Sequence, residues 1–446
     1  MKALMTVIAL FFGVTMASAS TSEDSVRNDK FPEQRQIGKT ILNTKIIQFG
    51  NCDPQLTPAQ DSVRLLLQRY YYDQYRSFQD PKSPYFMFMS RDANMAMGVG
   101  GVVRMRGFFD WHGSIPANGF SPYLIPMTKD PTSKRRLGAT PSGTALYFSI
   151  MGKNSPLGDY MGYIEANFNG YNGRDFHLKK AYFNINDWTV GYATTSFSDP
   201  AAEPPVIDGA GPNGKLSKSA VLVRYLHPIK ESWLVGGSLE FPDSQKGVDG
   251  TTTKGTTDWV PDIIATGQYQ WDGGISHIRG SLLMRMLGYR DLLTSKNHTV
   301  IGWGAQLSTT FKVIPNLSLY GIANVGQGYS SYMVDLSVNN YDLINDGSKP
   351  GKMYAPLSTG VIFGAKYNFT DNIYSGLCLS GVRYIPKENE RVGDEYKYGL
   401  YGALNVYWDI TPRIQVGAEY LIGKRCNFDG NMGVAERVDA LFQFSF

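Results

Sequence analysis

After residue 95, charged side chains recur on alternate positions of the chain. This spacing suits electrostatic interaction with ions better than covalent catalysis. Arg104, Arg106 and Asp110 share one parity, whereas Val103 and Phe109 occupy the other. Successive side chains of a β-strand point to opposite faces, so this segment is predicted to have one charged and one apolar face. Guanidinium and carboxylate groups in such a row can attract, repel or orient ions without forming covalent bonds.

The same alternation recurs to residue 446 and predicts a polar row on each strand. In a transmembrane barrel the polar face lines a water-filled lumen and the apolar face meets lipid. The predicted pore-lining residues are Arg104, Arg106, Asp110, Glu165, Arg224, Glu240, Arg279, Arg285, Lys366, Glu419, Arg437 and Asp439. Cations outnumber anions in this set, which predicts a weak preference for anions. The alternative is that these groups pair across neighbouring strands and leave little net field.

A further acidic group lies in residues 194–217, which are rich in Pro and Gly and follow the fifth predicted strand. This segment contains Asp199, Glu203 and Asp208. We predict that it folds into the lumen as the constriction loop. An acidic loop opposite a basic wall would create a transverse field at the narrowest point.

The residue patterns give no support for an enzyme, a cofactor or a metal site. His277 and Ser281 come nearest to a Ser–His pair, but their parity places both on the polar face. Cys52, Cys378 and Cys426 are too few and too scattered for a disulfide framework or a metal site. The net charge of +4 gives no case for nucleic-acid binding.

The first residues predict export from the cytoplasm. Lys2 precedes an apolar stretch at residues 3–14, and the Ala-Ser-Ala sequence at 17–19 has the small-x-small cleavage pattern. We therefore predict a signal peptide at residues 1–19. The alternative, a membrane anchor, is disfavoured because the apolar run is shorter than the roughly 20 residues that a spanning helix needs.

Two periplasmic elements are predicted before the strands. Residues 20–56 are polar, with one short strand near 45–49. Residues 57–81 predict a helix, because Thr57 can act as N-cap, Pro58 suits the first turn and Pro81 ends the apolar periodicity. This helix either packs on the periplasmic mouth of the barrel or associates with copies in other subunits.

Residues 90–446 predict an all-β transmembrane barrel of about sixteen antiparallel strands. Short turns alternate with mostly longer polar loops, which is typical of periplasmic turns and extracellular loops. The longer loops are predicted at 112–143, 198–217, 242–260, 329–357, 386–396 and 423–435. An even number of strands returns both ends of the barrel to the periplasm. The last strand alternates apolar residues up to Phe446, which resembles the signal that the barrel-assembly machinery reads.

Several motifs together resemble those of the DcaP-like porins. They lie at residues 181–192, 196–213, 416–430 and 442–446, and the resemblance covers roughly residues 90–446. It implies a trimeric, sixteen-stranded outer-membrane channel that prefers dicarboxylates or similar anions. In some members a periplasmic coiled coil precedes the barrel, whereas here the sequence predicts about one helix.

We therefore expect a diffusion porin in the outer membrane of a Gram-negative cell, passing small anionic or neutral solutes. The expected partners are outer-membrane lipid and lipopolysaccharide, two further copies of the chain, and the barrel-assembly machinery through Phe446. The alternative is a structural or adhesive barrel whose extracellular loops bind partners and whose lumen conducts little.

Overall fold

The computed structural model describes residues 45–48, 86–90, 95–128, 131, 134–155, 158–169, 173–230, 232–272 and 276–446. The predicted signal peptide, the predicted helix at 57–81 and most of the predicted polar segment lie outside these residues. Among the described residues, no helix is both long and apolar enough to span a membrane.

Sixteen antiparallel strands close into a barrel, which confirms the predicted fold class and strand number. Each strand pairs with the next, and the last pairs with the first from Ser445 opposite Val102 to Glu436 opposite His112. The barrel strands are β3 (Met95–His112), β5 (Ala145–Ser155), β6 (Gly158–Asn169), β7 (Asp175–Ile185), β8 (Trp188–Thr194), β9 (Ser219–Lys230), β10 (Trp233–Glu240), β13 (Asp262–Trp271), β14 (Ser276–Asp291), β15 (Lys296–Ile314), β16 (Leu317–Gln327), β19 (Leu357–Asn368), β20 (Ile373–Ile385), β21 (Tyr396–Asp409), β22 (Ile414–Asn427) and β23 (Met432–Ser445).

Seven short strands add to the barrel or to its loops. They are β1 (Lys45–Gln48), β2 (Phe86–Met89), β4 (Arg136–Thr140), β11 (Lys246–Gly247), β12 (Thr253–Gly255), β17 (Leu343–Asn345) and β18 (Met353–Tyr354). β1 pairs with β2 in parallel, and β2 pairs with the start of β3. The short strand predicted near residues 45–49 is therefore present. Single 3₁₀ turns lie at Pro122–Leu124, Pro200–Ala202, Ser330–Tyr332 and Glu388–Glu390.

The two faces of the wall follow the predicted two-residue period. On β3, Val103 and Met105 are 41% and 46% exposed, whereas Arg106 and Asp110 are buried. Aromatic side chains cluster at both ends of the outward face. Trp188 and Tyr225 pack with ring centroids 4.8 Å apart at one end, and Trp111 stacks on Tyr420 at the other. This apolar band with aromatic edges is typical of a barrel that spans a membrane.

The connections differ at the two ends of the barrel. At the end where β5 meets β6, the connecting segments between strands contain only two to four residues. At the other end, long loops lie at 113–135, 195–218, 241–261, 328–356 and 386–395. The loop predicted at 423–435 is shorter than expected and spans only 428–431. β23 extends further toward the loop than predicted, and its inward positions there, Gly433 and Ala435, carry no polar side chain that would mark the pattern in the sequence.

Three of the long loops fold into the barrel. We call residues 113–135 the first outer loop, residues 195–218 the inner loop and residues 328–356 the sixth outer loop. The outward face of the barrel is apolar and exposed. Apolar side chains from all three loops, in contrast, are almost completely buried. These side chains include Phe120, Ile125, Phe197, Ile207, Tyr329 and Leu336. The apolar core of the molecule therefore lies inside the barrel, between these loops and the wall.

Candidate pore constriction

The inner loop runs against the inward face of the barrel wall, and glycines allow this close approach. A Cβ atom added to Gly376 on β20 would lie 2.9 Å from Cγ of Pro205, and one on Gly417 would lie 2.9 Å from Cδ1 of Ile207. A Cβ atom added to Gly364 on β19 would lie closer still to Cβ of Pro204. A larger side chain at these positions would push the loop away from the wall.

Asp199 anchors the first half of the inner loop. Its carboxylate accepts hydrogen bonds from Nη1 of Arg279 at 3.1 Å, and from Oγ of Ser308 at 2.5 Å. Nε2 of His277 lies 2.8 Å from the same carboxylate. Burial raises the pKa of Asp199, but the Arg279 and His277 side chains outweigh burial and hold this pKa below its ordinary value. The carboxylate therefore stays ionised and fixes the loop to β14 and β15.

Asp208 anchors the second half of the loop on the opposite wall. Nη1 of Arg106 lies 2.9 Å from its carboxylate, and the backbone N–H of Phe120 also donates to it. Arg106 bonds in addition to Asp439 at 3.0 Å. The carboxylate of Glu419 accepts hydrogen bonds from the backbone N–H groups of Ile207 at 2.8 Å and of Asp208 at 2.7 Å. The loop thus crosses between two sets of wall residues.

Asp335 ties the three inward loops together. It accepts hydrogen bonds from Ser121 Oγ at 2.7 Å, from Asn213 Nδ2 at 3.4 Å and from the hydroxyl of Tyr396 at 2.5 Å. Burial raises the pKa of Asp335 above its ordinary value, even though these donors favour the ionised form. Ser121 belongs to the first outer loop and Asn213 to the inner loop, so one carboxylate links all three loops.

Two further predicted arginines, Arg437 and Arg285, also pair with carboxylates. Arg437 on β23 bonds to Asp110 on β3, with its Nη2 3.0 Å from Oδ2. Arg285 lies 3.0 Å from Asp262 and 3.1 Å from Asp342 of the sixth outer loop. Most of the predicted cations therefore meet carboxylates, as the alternative interpretation held. Many of these carboxylates, however, come from loops and not from neighbouring strands.

The other predicted residues have different surroundings. Nη2 of Arg104 donates to the carbonyl of Ile207 at 2.8 Å, and Arg104 remains half-buried. Nη2 of Arg224 donates to the carbonyl of Thr194 at 3.0 Å. The Nζ atom of Lys366 lies 4.5 Å from the ring centroid of Tyr374.

The predicted acids are held by nearby donors. Glu165 lies 2.9 Å from Lys179, and Glu203 lies 2.6 Å from Lys215. Glu240 accepts a hydrogen bond from the backbone N–H of Ser196 at 2.8 Å. Each of these three acids thus faces a side chain or a backbone group that stabilises its charge.

Some residues of this network were missed in the sequence. Asp262 is the first residue of β13 and shares the inward parity of Ile264, so its place in the two-residue pattern could have identified it. Asp335 and Asp342 lie in a loop without periodicity, and no sequence signal marks them. His277, considered above for catalysis, serves as a partner of Asp199.

No catalytic pair or metal site forms in the part of the chain that the structure describes. Oγ of Ser281 has no hydrogen-bond partner there, and His277 bonds to Asp199 instead. No group of three or more His, Cys, Asp or Glu residues in the described segments could hold a metal ion. Cys378 and Cys426 are buried as free thiols.

Residues 89–446 match the family model of the DcaP outer membrane protein. The chain belongs to the DcaP family. It is therefore an outer-membrane protein with the fold of the porins, as the motifs predicted.

Solved structures show the same fold. The outer membrane channel DcaP of Acinetobacter baumannii matches with a TM-score of 0.68 and 22% identity, covering 80% of this chain and 99% of that one. The loop L8 deletion mutant of OmpT from Vibrio cholerae matches with a TM-score of 0.50 and 11% identity, covering 79% and 100%. Salmonella typhi OmpF in complex with daunomycin matches with a TM-score of 0.50 and 10% identity, covering 80% and 99%. The comparison with curated proteins gives no significant match.

Proposed function

We propose that the protein is a diffusion porin that passes small hydrophilic solutes with a weak preference for anions. The observation that carries this proposal is the inner loop, which crosses the lumen between the Asp199 and Asp208 anchors. A loop fixed at two points would narrow a channel to a defined size. The test is single-channel recording in planar bilayers, where discrete and stable conductance steps are expected.

The proposed anion preference rests on Arg104, whose described contacts include no carboxylate at ion-pair distance. Arg106, Arg279, Arg285 and Arg437 each bond to a carboxylate, whereas Arg104 donates to a backbone carbonyl. The guanidinium of Arg104 therefore lies next to the inner loop with no carboxylate at ion-pair distance, and the carboxylates of Glu419 and Asp208 act on it from further away. Dicarboxylates, with two negative charges, would gain most from this field.

Replacing Arg104 tests the origin of the selectivity. A unit charge about 4 Å from an ion in water is worth about 1 kcal/mol, so R104Q should lower the anion-to-cation permeability ratio by up to about fivefold. The reversal potential in a salt gradient measures this ratio. The matched control is R290Q, because Arg290 lies on the outward parity of β14 and bonds to Asn297. An unchanged ratio in R104Q would remove Arg104 from the selectivity mechanism.

The interlocked loops favour a second candidate, a structural or adhesive barrel with little conductance. The first, inner and sixth outer loops meet at Asp335 and could close the lumen. Silence in bilayers, by folded protein that incorporates normally, would support this candidate. Uptake of succinate into proteoliposomes, compared with a neutral sugar of similar size, separates a dicarboxylate porin from an unselective one.

We also infer how the chain is exported and assembled. Residues 1–19 would be removed as a signal peptide, and mass spectrometry of the mature protein should then show Ser20 as its first residue. Backbone hydrogen bonds join Phe446 to Gly101 at 2.7 and 2.9 Å, so the terminal residue closes the barrel seam that the assembly machinery must form. Deleting Phe446 should reduce the amount of protein in outer-membrane fractions.

We also propose how the subunits assemble. We infer a homotrimer, with the predicted helix at 57–81 as one element that joins the subunits or covers the periplasmic mouth. Mass measurement in detergent on the full chain, and on a chain lacking residues 57–81, distinguishes these roles. Loss of the trimer only in the shortened chain would identify the helix as the joining element.

A further inference from the structure

A basic cavity lies at the outer end of β20 and β21, at the rim of the barrel. Its volume is about 300 Å³, and its walls include Arg383, Arg391 and Lys397. Tyr384 and Phe428 also contribute to the walls. A cavity with three cationic side chains and two aromatic residues is suited to an anion attached to an apolar body.

The position of Arg383 places the cavity at the edge of the apolar band. Arg383 is exposed and shares the outward parity of Leu377 and Leu379, which are 36% and 51% exposed. The next outward pair toward the loops after Gly381 and Leu400 is Arg383 and Tyr398. Tyrosine and basic residues at this point are typical of the level of lipid headgroups.

The cations are free to bind an anion. Among the described residues, Arg383 and Lys397 have no carboxylate within ion-pair distance, and Arg391 lies 3.6 Å from the largely exposed Glu388. A surface pair of this kind contributes little energy. The nearby carboxylates of Glu390 and Asp429 keep their charge but are held by donors in Ser348 and Asn431.

The floor of the cavity is held in place by packing. Tyr384 is completely buried and stacks on Tyr341, with ring centroids 4.3 Å apart. The guanidinium of Arg391 lies 5.7 Å from the ring centroid of Phe428. Because the aromatic side chains fix the surroundings, little ordering is needed when a ligand binds.

We propose that this cavity binds the phosphate group of a phosphorylated lipid in the outer leaflet. The phosphate would lie among Arg383, Arg391 and Lys397, and the acyl chains would lie along Leu377, Leu379 and Leu400. The inference rests on the outer-membrane location and not on conduction, because all three cations lie outside the lumen network.

The test uses the folded full chain in detergent and native mass spectrometry. The probes are lipid A with two phosphates, dephosphorylated lipid A, and inorganic phosphate. Each basic residue near an anionic lipid contributes about fivefold in affinity, so the triple variant R383Q/R391Q/K397Q should bind lipid A roughly a hundredfold more weakly. K349Q, which removes one exposed cation from the sixth outer loop, is the control. Heat-modifiable migration on gels verifies that each variant is folded.

The outcomes distinguish the sources of the anion. Loss of lipid A binding in the folded triple variant, with weak binding of the dephosphorylated lipid, supports the proposal. Equal binding of both lipids, or of wild type and triple variant, overturns it. Competition by inorganic phosphate at similar affinity also overturns it, because the site would then serve a soluble anion. Single-channel conductance of the triple variant should equal that of wild type, so this test is independent of the porin proposal.

Discussion

Removing the charge of Asp199 should release the first half of the inner loop. In D199N the side chain keeps its shape, but Arg279 and His277 lose the carboxylate that they share. Both partners are almost completely buried, so neither can turn to water to recover the lost interaction.

The magnitude follows from the surroundings of the pair. Removing one partner of a buried ion pair costs about 3–5 kcal/mol. Arg279 retains a hydrogen bond from its Nε to Oε1 of Gln268 at 2.7 Å, which favours the lower end of this range. About 3 kcal/mol corresponds to roughly a hundredfold shift in the equilibrium between the docked and released loop. The Asp208 anchor remains, so the barrel itself should stay folded.

Limited proteolysis and conductance measure this release. Chymotrypsin should cleave after Phe197, which is completely buried in the docked loop, much faster in D199N than in wild type, and single-channel current should become larger or noisier. D175N is the control, because Asp175 is an exposed residue at the start of β7. Equal protease resistance together with unchanged current in D199N would refute the anchoring role of Asp199.

The pH dependence has a defined sign. The pKa of Asp199 is lowered in the folded protein, so the anchor stabilises the docked loop above the ordinary carboxyl pKa. This stabilisation is lost only as the pH falls through the lowered value. The difference in current between wild type and D199N should therefore persist from about pH 7 to about pH 4. Its disappearance near pH 5 would contradict a lowered pKa.

Two further perturbations test how the loops are held. D335A should expose the first and sixth outer loops, because Ser121 and Tyr396 lose their buried acceptor at a cost of about 1–3 kcal/mol for each unpaired group. Backbone hydrogen exchange should become faster in both loops. Unchanged exchange would argue against the link between the loops. G364V should displace Pro204 and destabilise the inner loop by about 1–3 kcal/mol. The control is G280V, because a Cβ atom added at Gly280 meets open space. G280V should leave the conductance and the unfolding midpoint unchanged. Equal behaviour of the two glycine variants would contradict close packing of the inner loop on β19.

The sequence alone determined the barrel and the two faces of its wall. Side chains alternate across a strand wherever the strand lies, so Val103 and Arg106 could be assigned to opposite faces without knowing their neighbours. The Pro and Gly content and the three acids of residues 194–217 also distinguish this segment from a strand, so the sequence predicted a loop after the fifth strand. The full extent of β23 was not predicted, because its inward positions Gly433 and Ala435 carry no polar side chain.

Only the tertiary structure decided which charges remain available to a solute. Counting charges by parity treats Arg104 and Arg106 alike, but Arg106 meets Asp208 and Asp439, whereas Arg104 meets a carbonyl. These partners lie more than a hundred residues away along the chain. Periodicity reports the direction of a side chain, and pairing depends on how the loops return into the barrel. The field in the lumen is therefore set by contacts that no local pattern encodes.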